Sequence, residues 1–190
     1  MNAPLQIRLR GALAWLALAG ALVGAMPAQA QPAGAALERS VKAAFLFKFL
    51  GYADFPAGAF GDPAAPLVIG VAGSEQMAAE LGRVVAGRSV NNRPVVVRHV
   101  RDGDNPGAVH VLFVAGADCS RAARVLRQAA AGPVLAVTEC SGLPSGSVIN
   151  FRIVEERVRF DVSLDAADKN NIKLSSRLLT VANHVSKGAP

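Results

Sequence analysis

Apolar residues recur in two rhythms along this chain, and the rhythm changes near residue 147. Residues 36–51 read as a helix. Val41, Ala44, Phe45 and Lys48 mark one stripe, and Leu46, Phe47, Phe49 and Leu50 widen it to almost the whole circumference. A helix apolar on nearly every side buries more than one face, in its own core or against a partner. Gly51 and Pro56 mark its end. Residues 66–72, 109–115 and 133–138 are continuous apolar runs, as expected of strands covered on both faces. Residues 94–100 read as a further strand, and the polar, glycine-rich stretch 102–107 as a loop. Between these lie two helical patterns. Residues 75–86 follow Ser74, a natural N-cap, and carry Met77, Leu81 and Val84/Val85 on one side. Residues 118–131 carry Ala122, Val125, Leu126 and Ala129 together. Strand, helix and strand over 109–138 form a βαβ unit with a parallel, right-handed crossover.

After residue 147 the period drops to two. Ile149, Phe151 and Ile153 share one face of 147–154, and Val158, Phe160, Val162 and Leu164 share one face of 158–164. Glu155-Glu156 lies between them, so the pair is an antiparallel hairpin with one buried face. Residues 165–168 open a final helical region with Leu174, Leu178, Val181 and Val185 as its core stripe and Lys173 and Arg177 on its exposed side. The expected fold class is α/β: a mixed sheet of parallel βαβ units plus a C-terminal antiparallel hairpin, with helices on both faces.

The first thirty residues change where this domain is expected to work. Arg8 and Arg10 precede an apolar run over 11–25, followed by Met26, Pro27 and the triplet Ala28-Gln29-Ala30. A basic start, a short apolar middle and a small-residue end form a secretory signal peptide. The run is too short for a bilayer span, which needs about 20 residues. Residues 1–30 are therefore expected to be removed, leaving a single domain over 31–190 in an exported, oxidising compartment. The formal net charge of +6 falls once Arg8 and Arg10 are removed. What remains is spread along the chain without a basic, aromatic-interleaved patch, so nucleic-acid binding has no support.

The candidate chemistry is sparse. Cys119 and Cys140 each follow the carboxyl end of an expected parallel strand. Neighbouring strands lie about 4.8 Å apart, within the span of a disulfide, and an even cysteine count in an exported protein favours one. The alternative is a pair of free thiols, with Cys119 as a nucleophile at a helix N-terminus. Arg121 and Arg124 are at the wrong spacing for a cysteine phosphatase, whose phosphate loop also needs glycines. His99, His110 and His184 are scattered without metal-ligand spacing, and His110 reads as a structural histidine. No nucleophile elbow, phosphate-binding Gly-Lys-Ser/Thr loop or dinucleotide fingerprint occurs. The glycine turns at 71–74 and 114–117 are ordinary strand-to-helix connections that are also able to hold anions. No catalytic residue, metal site or cofactor is expected. Phe47, Phe49 and Tyr52 are the candidate partner-binding residues, set against the alternative that they pack in the core.

Two stretches, 41–56 and 149–167 continuing through 172–179, resemble the YfiR/HmsC-like periplasmic proteins. The second is the more specific, and with the strand pair at 109–115 and 133–138 the resemblance covers nearly all of 31–190. It implies a small α/β periplasmic regulator, often dimeric and without catalytic activity. Its partner would be the periplasmic part of an inner-membrane diguanylate cyclase, whose repression lowers cyclic-di-GMP and biofilm formation. An accessory or small-ligand sensing role for an envelope receptor or transporter is the alternative, with the ligand in the crevice at the carboxyl ends of the parallel strands. Two departures stand out: Phe55-Pro56 replaces the family's usual Trp-Pro, and the single cysteine pair is smaller than the set in redox-sensitive members.

Overall fold

The structure is a computed structural model describing residues 33–188 except 63, 102, 130 and 131. The leader assigned to residues 1–30 lies outside the described residues. In chain order the elements are α1 (Ala33–Phe49), β1 (Ala53–Asp54), β2 (Leu67–Ala72), α2 (Glu75–Val85), β3 (Ser89–Val90), β4 (Arg93–Val100), β5 (Val111–Val114), α3 (Cys119–Ala129), β6 (Leu135–Thr138), β7 (Ile149–Val154), β8 (Arg157–Ser163), α4 (Leu164–Lys169), β9 (Lys173–Leu174), α5 (Ser176–Thr180) and β10 (His184–Ser186). A short 3-10 turn, Ala57–Ala59, lies between β1 and β2.

Eight strands form one sheet in the order β10-β8-β7-β6-β5-β2-β4-β3, and β1 and β9 make a separate two-stranded ladder. Strands β4, β2, β5, β6 and β7 run parallel. The β7–β8 and β3–β4 pairs are antiparallel, and β10 returns parallel to β8. The apolar runs of the sequence become the sheet centre: every residue of β2, β5 and β6 is buried. The chain passes from β2 through α2 to β4 on one side of the sheet order, and from β5 through α3 to β6 in the other direction. Right-handed crossovers therefore place α2 and α3 on opposite faces. Helix α1 packs on the α2 side, against α2 and β8. Gly70, mid-β2, sits in tight packing: a Cβ there would lie 3.0 Å from a Val109 methyl and 3.2 Å from a Leu112 methyl.

Local signals act where the sequence placed them. Ser74 Oγ accepts the Met77 N–H and caps α2. Asp118, one residue before α3, accepts the N–H groups of Ser120 and Arg121. Those backbone donors hold its carboxyl below the ordinary range.

Three expectations are corrected. First, the C-terminal region is not one helix. Asn171 adopts φ 54° and stops α4 after a turn and a half. β9 then pairs with β1 before Ser175 caps the short α5. Leu178 is buried as expected, but Val181 is 60 % and Val185 36 % exposed. Second, the deeply buried side of α1 is Lys42, Ala43, Leu46 and Phe49, not the stripe of Val41, Ala44, Phe45 and Lys48. Third, the hairpin buries only its proximal half. Ile149, Phe151, Phe160 and Val162 are buried, whereas Ile153, next to the hairpin tip, is 52 % exposed. The structure also adds β3, joined to β4 through Asn91 and Asn92, both at positive φ as a tight hairpin turn requires.

Candidate functional site

Three places gather side chains worth examining. The first is the crevice between β2 and β5, where the strand order reverses and open α/β sheets take their ligands. Here the chain fills it with its own groups. Gly73, at φ 83°, has the Arg121 guanidinium so close that a Cβ would lie 2.6 Å from it. Arg121 Nη1 donates to the Ala115 carbonyl at 3.0 Å. The Gly116 N–H, which would greet an anion, donates to Glu139 at 2.7 Å. A ligand in this crevice would have to displace both an internal cation and an internal carboxylate.

The second lies beside it. Lys42 of α1 is buried and bonds both Glu38 and Glu139, the latter at 2.6 Å. Burial alone would lower its pKa, but the two carboxylates outweigh this and raise it, so the ammonium stays charged. Glu139 thus ties α1 to the turn after β5, and the next residue is Cys140. Cys119 and Cys140 form the disulfide, with Cα atoms 5.2 Å apart, across the loops that follow β5 and β6. Neither cysteine is a free thiol, so the nucleophile reading of Cys119 falls away. Below the bridge, Asn150 of β7 donates to the Cys140 carbonyl and accepts from Thr138, itself within 2.8 Å of Ser147. This buried polar cluster fixes the loop after β6. The sequence reading did not single out Asn150, whose only signal is a polar residue alternating with apolar ones in a strand.

The third is a cleft of about 320 Å³ between α1, β8 and α5, floored by Phe45, Phe49 and Phe160, with Tyr52 at its mouth. Phe49 stands at its base, with ring centroids 5.9 Å from Phe45 and 5.1 Å from Phe160. Lys48, Arg159 and Arg177 stand around it. The three expected partner residues separate here. Phe49 is 1 % exposed and belongs to the core, and Tyr52 is 37 % exposed at the cleft. Phe47 lies elsewhere on α1, half-buried, with the Arg88 guanidinium 5.2 Å from its ring. Arg177, read from the sequence as a solvated side, is a cleft residue, and the expected helical spacing hid its position.

His110, just before β5, is the satisfied structural histidine expected. Its Nδ1 accepts the Val68 N–H at 3.0 Å, its Nε2 lies 3.2 Å from the Ala59 carbonyl, and its ring stacks on Phe60 at 4.7 Å. Among the described residues, no group of three or more His, Cys, Asp or Glu side chains is placed to hold a metal. No helix there is long and apolar enough to cross a membrane.

The YfiR/HmsC-like family model matches residues 39–183, from the middle of α1 to the residue before β10. The chain belongs to the YfiR/HmsC-like family. The match spans the cleft, the disulfide and the Lys42 pair together. The YfiR/HmsC-like proteins are periplasmic regulators rather than catalysts, in keeping with a fold whose ligand crevice is filled from within. No curated protein matches the chain.

Proposed function

We propose that this chain is a periplasmic regulatory binding protein that represses an inner-membrane diguanylate cyclase by binding its periplasmic part, so lowering cyclic-di-GMP and biofilm formation. The observation that carries this reading is the family match over 39–183. The exported leader read in residues 1–30 and the self-filled crevice support it. Repression needs only that the regulator bind the partner's inactive state more tightly than its active one. A thousandfold bias in state corresponds to about 4 kcal/mol of differential affinity. The turn after α1 at Tyr52, with the neighbouring cleft, is the part of the surface best suited to partner contact. Association of two copies belongs to the same proposal, and sedimentation analysis of the exported protein tests it.

Deleting the gene is expected to raise cellular cyclic-di-GMP and surface attachment, and restoring the full-length chain to reverse both. Unchanged cyclic-di-GMP on deletion would overturn the cyclase reading. Affinity capture from native membranes is expected to recover a membrane protein with a cytoplasmic cyclase domain.

A further inference from the structure

We propose that the cleft between α1, β8 and α5 is a binding site for a small amphipathic carboxylate, with its apolar body on the aromatic floor and its carboxylate on the basic rim. The proposal rests on the cleft's geometry and charge alone, not on the regulatory reading.

Size and lining come first. A volume of about 320 Å³ falls within the range of small-molecule sites. The floor is Phe45, Phe49 and Phe160, and Leu178 and Val181 form a wall. Val181 is 60 % exposed, a large apolar surface left at the mouth of an apolar hollow.

Charge is the second and independent observation. Lys48, Arg159 and Arg177 line the cleft, and no acidic residue does. Among the described residues none of these three cations has an ion pair or a side-chain hydrogen bond, whereas Lys42 and Arg83 are paired with carboxylates. The sheet register gives Arg159 no acidic partner across the ladder. Arg159 sits directly opposite Arg152 across the β7–β8 ladder, a like-charge pair that is unfavourable on its own. Arg152 is engaged with the Ser141 carbonyl, and Arg159 has no such partner among the described residues. A concave apolar site rimmed by one sign of charge concentrates anions. The same rim repels an ammonium group, so the fitting ligand is an acid without an amine.

Calorimetric titration of the exported protein, purified from the periplasm at low ionic strength, tests this. The probes are 3-phenylpropionate and decanoate, each beside the alcohol of the same carbon body, with phenylalanine beside phenylpropionate. At least one carboxylate is expected to bind saturably with a Kd below about 1 mM. The matching alcohol, and phenylalanine beside phenylpropionate, are expected to bind about tenfold more weakly. The double variant R159Q/R177Q should weaken the carboxylate by about tenfold or more, and V181W should block it by narrowing the mouth. R127Q, on the opposite face, should leave it unchanged. The proposal is overturned if neither carboxylate saturates, if the alcohols bind as well as the acids, or if R159Q/R177Q and V181W both bind like the parent chain.

Discussion

At the scale of single residues, His110 links stability to pH. Burial is the main force lowering its pKa, and the Arg93 cation adds to it. The contact with the Ala59 carbonyl offsets them only in part. The folded chain therefore refuses a proton that the unfolded chain accepts below the ordinary value of 6.5. Stability is expected to fall as pH drops through and below that value, until the folded state also protonates, and this contribution is flat above it. The structural reason is visible: a proton on Nδ1 would face the Val68 N–H that now donates to it. H110Q has no group to titrate there. Its urea midpoint should fall less than the parent's between about pH 7.5 and about pH 5.5, and parallel losses in the two proteins would refute the assignment. The sequence placed His110 correctly as structural because it sits in an apolar strand region with no second ligand nearby. It did not disclose that the ring reaches back to β2 and the turn at Ala59, since that contact joins residues distant in the chain. Lys42 was hidden for a related reason. A lysine in an apolar helix reads as the polar side, and only the fold brings Glu139 to meet it.

At the scale of elements, the hairpin turn between β7 and β8 carries a backbone cost. Glu155 and Glu156 sit at φ 49° and 59°, the left-handed region that Asn and Gly occupy more easily. E155N/E156G is expected to raise unfolding free energy by about 1 kcal/mol, and a chemical denaturation curve reads this directly; no gain would show that the hairpin tip is uncoupled from the fold. The disulfide acts between elements, tying the loop after β5 to the loop after β6 across α3. C119S/C140S is expected to lose about 2–4 kcal/mol of stability, and a loss under about 1 kcal/mol would mean that the Asn150 and Glu139 contacts hold these loops alone. The parallel strands were legible as continuous apolar runs, and the two crossover helices and the hairpin by their strong periodicity. The C-terminal region was misread because Leu174, Leu178 and Val181 keep helical spacing while Asn171 breaks the backbone before them. Residues 173–174 are recruited as a strand by β1, a partner that local periodicity does not reveal.

At the scale of the whole molecule, two ends of one sheet have different fates. The carboxyl ends of the central strands, the usual ligand crevice of such folds, are closed by Arg121, Glu139 and the disulfide. The open hollow lies instead toward the β10–β8 side of the sheet, built from α1, β8 and α5. That division was out of reach of the sequence, which showed the central strands clearly but scattered the cleft over α1, β8 and α5. It also sets the turn after α1 at Tyr52 apart as a surface with both apolar and cationic character. Tyr52 is the chain's only tyrosine, and its only tryptophan, Trp15, lies within residues 1–30, the stretch expected to be a leader. A chain cut after Ala30 would therefore carry one natural fluorophore of consequence, standing at the mouth of the cleft. Its emission should change when anything seats there, so occupancy of this protein is readable by light without a label.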